Sequence, residues 1–159
     1  MNELSEIEIQ ALNEVLDDEY RAFATYEQVL ADFGDARPFS NIRDAEARHI
    51  EALYALFARY GLTVPENPWP GKVERYASLH AACEAGVAAE IANAELYERL
   101  LKAIGHPDIV RVFHNLRDAS QQRHLPAFQR CAQGSEAGGG HHGHGAGRQG
   151  RHRGRFRQA

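Results

Sequence analysis

At 159 residues the chain is the size of one domain, and 43% hydrophobic residues suffice for one continuous core. No apolar run approaches the roughly 20 residues of a membrane span, and the acidic start, MNELSEIEIQ, lacks the basic and apolar segments of a signal peptide; the expectation is a cytoplasmic protein with no membrane contact. The formal net charge of −4 hides a division, since residues 1–132 carry −8 and residues 133–159 carry +4.

Four segments show helical periodicity and none shows strand alternation. The first runs from about Ser5 to Phe33, opened by a capping box at Ser5 and Glu8 and stopped by Gly34. Its apolar stripe is Ile9, Leu12, Leu16, Phe23, Tyr26, Leu30, Phe33. The second runs from about Ala36 to Tyr60, with Pro38 tolerated in the first turn and Gly61 beyond the end. A linker, Leu62 to Tyr76, follows; Pro65, Pro68, Pro70 and Gly71 exclude a helix there, and Trp69 is expected to anchor it on the bundle surface. The third helix spans about Ser78 to Ile104 and the fourth about Pro107 to Ala132.

Loop lengths predict the topology. Helices one and two, and helices three and four, are joined by few residues and must be antiparallel neighbours. The join between two and three is long enough to run the length of a bundle. The expected fold is therefore all-α: a ferritin-like four-helix bundle over residues 1–132, with one long crossover between helices 2 and 3. Residues 133–159, rich in Gly, His and Arg, form a disordered tail on this reading. The tail histidines could bind Zn, Ni or Cu, and its arginines with Phe156 resemble a segment that touches nucleic acid. Cys83 and Cys131 are too few for a disulfide scaffold and read as buried free thiols.

The informative residues are polar groups at core positions. Glu19 falls in the first stripe where a leucine belongs. Glu46 and His49 replace two apolar residues of the second, Glu90 and Asn93 sit on the seam of the third, and Gln121 and His124 face inward on the fourth. A buried unpaired carboxylate costs several kcal/mol or changes its protonation state. A cation removes that difficulty. Glu-x-x-His places two ligands on one helical face. One Glu from each of two helices plus a Glu-x-x-His from each of the other two is the di-iron carboxylate arrangement of bundles. The candidate ligands are Glu19, Glu46, His49, Glu90, His124 and Gln121, the last standing where a Glu is expected and serving either as a weak ligand or as a nearby hydrogen-bond partner. On this placement Gln121→Glu should raise iron stoichiometry towards two per chain. Tyr26 and Tyr97, on the core seams, read as packing aromatics.

The stretches DDEYRAFATYEQVL, FGDARPFSNIRDAEARHIEALYALFARYG, GVAAEIANAELYERLL and LRDASQQRHLPAFQRC, within about residues 10–131, resemble a prokaryotic ferritin-like family of unassigned function. The resemblance implies a ferritin-like bundle with one or two iron ions, Mn or Zn being the alternatives. The wider superfamily uses such centres for ferrous iron oxidation, peroxide reduction or oxygen activation, so oxygen or peroxide is the expected small-molecule partner. The alternative is a non-catalytic metal-binding or scaffold bundle whose basic tail makes the interactions. A homodimer fits either.

Overall fold

The computed structural model describes residues 3–137. Its elements are α1 (Glu6–Phe33), α2 (Phe39–Arg59), α3 (Leu79–Leu101), α4 (Pro107–Ala119) and α5 (Leu125–Ala137), and α4 passes into α5 through one π turn, Ser120–His124. α4, the π turn and α5 form the fourth rod of an all-α bundle, and the described residues contain no strand. The tail readings on residues 138–159 lie outside the described residues. α5 itself continues past the boundary expected at Gln133.

Local chemistry sets the ends. Ser5 Oγ accepts from the Glu8 amide at 3.2 Å while Glu8 Oε1 accepts from the Ser5 amide at 3.1 Å, the reciprocal pair of a capping box. Gly34 closes α1 at φ 83°, a region where a side chain is strained. α2 starts later than expected because Pro38 occupies the cap position rather than the first turn. Ser78 caps α3, and Pro107 opens α4 at a position where its missing N–H costs nothing.

The crossover climbs alongside α1. Tyr20 donates to the Pro65 carbonyl at 2.8 Å, Trp69 Nε1 donates to Asp17 at 2.9 Å, and Arg75 donates to Asp32 at 2.5 Å. It thereby returns the chain to the far end of the bundle, so α3 runs parallel to α2 and antiparallel to α1. At the near end Arg59, the last residue of α2, and Tyr60 just beyond it both donate to Asp108 on α4, at 2.9 and 2.6 Å. Buried Glu8 pairs there with His106 at 2.6 Å and accepts from the Gly105 amide.

Two apolar clusters fill the interior. The near one is built on Leu12, Leu16, Leu53, Tyr97 and Phe113. The far one is built on Tyr26, Phe39, Ile42, Cys83 and Phe128. Close approach of α3 and α5 in the far cluster requires Gly86, where an added Cβ would lie 2.7 Å from the Phe128 ring. Beside that contact the expectation of free thiols fails: Cys83 and Cys131 are joined as a disulfide, with Cα atoms 5.8 Å apart. Both lie on facing stripes, and their Cα separation is in the usual disulfide range.

Candidate metal centre

Between the two clusters lies a polar layer. Glu19 is 1% exposed, Glu46 1%, Glu90 2%, His124 3% and His49 8%. Helical spacing brings them there. Glu19 continues the Leu12–Leu16 stripe of α1, Glu46 and His49 share one face of α2, Glu90 lies on the α3 seam, and His124 ends the π turn.

They form two triads with one shared member. Ligand atoms of Glu19, Glu46 and His49 all lie within 4.8 Å of one another, as do those of Glu46, Glu90 and His124. Glu46 divides its oxygens between them, with Oε2 3.1 Å from His49 Nδ1 and Oε1 3.2 Å from His124 Nδ1. The outer carboxylates complete each side, Glu19 at 3.6 Å from His49 and Glu90 at 3.3 Å from His124. The two imidazoles stack with centroids 5.3 Å apart.

Two tyrosines assigned to packing do more. Tyr26 on α1 donates to Glu90 on α3 at 2.9 Å, and Tyr97 on α3 donates to Glu19 on α1 at 2.7 Å. Each therefore orients the outer carboxylate of the opposite hairpin. The signal was present as a repeated spacing, since Tyr26 follows Glu19, and Tyr97 follows Glu90, by seven residues. Asn93 donates to Asp18 at 2.6 Å and to Glu19 at 3.4 Å, and accepts from Ser120 at 2.6 Å.

Gln121 does not join the cluster. It is exposed, and buried Ser120 takes the inward place one turn before His124. The π turn is the cause. With more than four residues per turn, the residue below His124 is four back rather than three. The expected Gln121-x-x-His124 face of the fourth helix is thus replaced by Ser120-x-x-x-His124.

Electrostatics show what this layer lacks. Burial pushes Glu46 up and the neighbouring Glu19 charge adds to it, so its carboxyl titrates at about 8. Burial opposes ionisation of Glu19 as well, but contacts with Glu46 and His49 outweigh it and hold its carboxyl at about 2. Burial disfavours the charged imidazoles, yet the carboxylates override it, raising His49 to about 10 and His124 to about 9. Burial and the adjacent carboxylates keep the Tyr26 and Tyr97 phenols protonated. Without a cation, protons do the neutralising. Even so, His124 Nδ1 has no aligned hydrogen-bond partner among the described residues, despite two carboxylate oxygens within 3.3 Å. The ligand atoms of those three groups lie within 4.8 Å of one another. Carboxylate oxygens and imidazole nitrogens in such an arrangement suit iron, manganese or zinc.

A cavity of about 330 Å³ lies between α1, α3 and the crossover. Its lining among the described residues includes Glu46 and Glu90 and neither Glu19 nor His49. The two sides of the layer are therefore unequal in access.

Fold and site define an all-α four-helix bundle with a buried carboxylate–histidine cluster that could hold a metal ion. In overall fold the chain is similar to the crystal structure of a hypothetical protein from Methanococcus jannaschii DSM 2661, with a TM-score of 0.74 over 86% of this chain and 85% of that one, at 21% identity. At that identity the likeness concerns fold alone. No family model matches the chain, and no curated protein matches it. No helix among the described residues is long and apolar enough to cross a membrane.

Proposed function

We propose that this protein is a ferritin-like metal-binding bundle that holds two divalent cations, iron in the first instance, in the polar layer. Glu19 and His49 would hold one, Glu90 and His124 the other, and Glu46 both. The observation that carries this reading is His124 Nδ1, buried without a hydrogen-bond partner and facing carboxylate oxygens of Glu46 and Glu90. Without a cation that nitrogen is protonated and neutralised by two carboxylates that make no aligned hydrogen bond to it, a role a cation can take over once the proton leaves. Glu46 supports it further, since each of its oxygens faces a different imidazole.

Ferrous iron held there would supply electrons for reducing oxygen or peroxide, and ferrous oxidation of that kind is the activity we assign. The chain's own residues prepare the place. Tyr26 and Tyr97 hold the outer carboxylates by donating to them, Asn93 and Ser120 brace Glu19, and the apolar clusters flank the layer on either side. Loss of protons from His49, His124 and Glu46 readies the layer for a cation.

The test is anaerobic ferrous loading followed by exposure to air, with oxygen uptake and a charge-transfer absorption band as readouts. Oxygen consumption in proportion to bound iron is expected. Binding without consumption would leave a non-catalytic metal-binding bundle, and failure to bind iron, manganese or zinc would end the reading altogether.

A further inference from the structure

The cavity beneath the crossover is not needed to hold a cation, and it is unlike the rest of the interior. Along α3 it runs from Ala82 to Asn93, a rise of about 16 Å, so it is elongated. Its α3 wall is Ala82, Ala85, Gly86 and Ala89, leading to Glu90 and Asn93, where the near cluster uses leucine and aromatic rings. The crossover covers that face with Trp69, Val73 and Tyr76 and leaves the space beneath them open. At its inner end stand the carboxylates of Glu46 and Glu90, both nearly fully buried.

The charges decide what fits. Around the cavity Arg21 is paired with Asp18 at 2.7 Å and lies over the Trp69 ring, and Lys72 and Glu74 also line it. These four balance, and a cation in the polar layer would offset Glu46 and Glu90, so the loaded cavity has no preference for an ionic ligand. The walls are apolar, and a charged group drawn between them would lose its hydration without a partner. At the inner end the Glu90 carboxylate, which already accepts from Tyr26, calls for a hydrogen-bond donor.

We propose that this cavity is a binding site for a small, neutral, extended molecule with an apolar body and a hydroxyl at its leading end, presented to the Glu90 side of the polar layer. Its apolar body replaces water along the alanine wall, and its O–H donates to a carboxylate at the floor. This rests on the metal-binding reading only for what happens after binding; occupancy of the cavity is a property of the chain itself.

Trp69 lines the cavity and is the one tryptophan of the sequence, so its fluorescence reports occupancy. The full chain, metal-free and separately loaded with Zn²⁺, is titrated with 1-hexanol, hexanoate and hexylammonium. Saturable change of Trp69 emission with 1-hexanol is expected in both forms. In the Zn²⁺-loaded form the two charged analogues should bind at least tenfold more weakly. Ala85→Phe, which fills the cavity, should weaken 1-hexanol at least tenfold while helical circular dichroism and Zn²⁺ stoichiometry are retained, and Ala89→Leu provides a second filling variant should the first unfold. No saturable response to 1-hexanol, an equal response in both filling variants, or tighter binding of either ion would overturn the proposal. Zn²⁺ stoichiometry is measured independently: zinc bound with no hexanol response sinks the cavity site alone, and hexanol bound with no zinc sinks the metal reading alone.

Discussion

The two halves of the polar layer are built differently. Glu19, Glu46 and His49 come from α1 and α2, one hairpin joined by a short turn, and each lies on a regular helical stripe. Glu46, Glu90 and His124 come from three helices in both hairpins, and His124 reaches its place only through the π turn. The first half depends on local geometry. The second depends on how the hairpins dock, on Gly86 admitting Phe128, and on the Cys83–Cys131 link that ties α3 to α5. It is also the half that adjoins the cavity. Precision of placement thus comes from the hairpin, and access comes from the joint between hairpins.

Glu46 belongs to both halves, so its removal tests the division most severely. Glu46→Ala should abolish cation binding at both, from about two per chain to near none, the complement expected of a two-ion carboxylate bundle. Glu19→Ala and Glu90→Ala should each leave about one, because each strips an outer ligand from one half only. Cobalt titration followed by absorbance, with elemental analysis, measures all three. Equal losses in the two single-sided variants with Glu46→Ala no worse would show one undivided site.

Proton competition gives the next largest effect. His49 and His124 titrate near 10 and 9 when folded, above the ordinary imidazole value, so their charged forms stabilise the metal-free bundle below about pH 6.5 and lose that contribution as pH rises through 9 to 10. Glu46, raised to about 8 by burial and then by Glu19, acts in the same direction from about pH 4.5 upward. Metal-free thermal stability should therefore fall between pH 6 and pH 9, while the extra stability conferred by Zn²⁺ should grow over that interval, because bound cations displace those protons. Parallel melting curves across the range check both slopes, and a Zn²⁺ increment that shrinks with pH would contradict the assignment of these imidazoles as ligands.

Ser120→Ala is a smaller perturbation. It removes the hydroxyl that donates to Asn93 Oδ1 at 2.6 Å, leaving a buried acceptor unmet at a cost of about 1 kcal/mol, read as a denaturant midpoint shift. Cation stoichiometry should hold, since Asn93 keeps its contacts with Asp18 and Glu19.

The same contrast explains what could be read from the chain alone. The hairpins, the long crossover and the inward placement of Glu19, Glu46, His49 and Glu90 follow from stripes with steps of three and four, which a straight helix obeys. The capping box at Ser5 and the anchoring of Trp69 were likewise written in local chemistry. The fourth helix was harder. Leu116, Ser120, His124 and Phe128 are spaced four, four and four, and each step of four overshoots a helical turn by about 40°. That drift carries residues off the seam unless a wider turn absorbs it. The irregular step from Leu116 to Gln121 was the visible trace. The disulfide was hidden for a different reason, because pairing 48 residues apart depends on the docking of α3 on α5.

Gln121→Glu turns that drift into a measurement with the smallest expected effect. Were the fourth helix regular, residue 121 would lie one turn below His124, and a carboxylate there would complete a symmetric ligand set and increase bound iron. With the π turn, residue 121 is exposed, and a new carboxylate would stay hydrated and take no part. Iron stoichiometry and the pH dependence of Zn²⁺ stabilisation should both match the unaltered chain within error. An increase in bound iron would mean that the segment relaxes to a regular helix when a cation enters, turning residue 121 inward and Ser120 away from Asn93, and the two halves would then be alike in the loaded protein and unlike only without its metal.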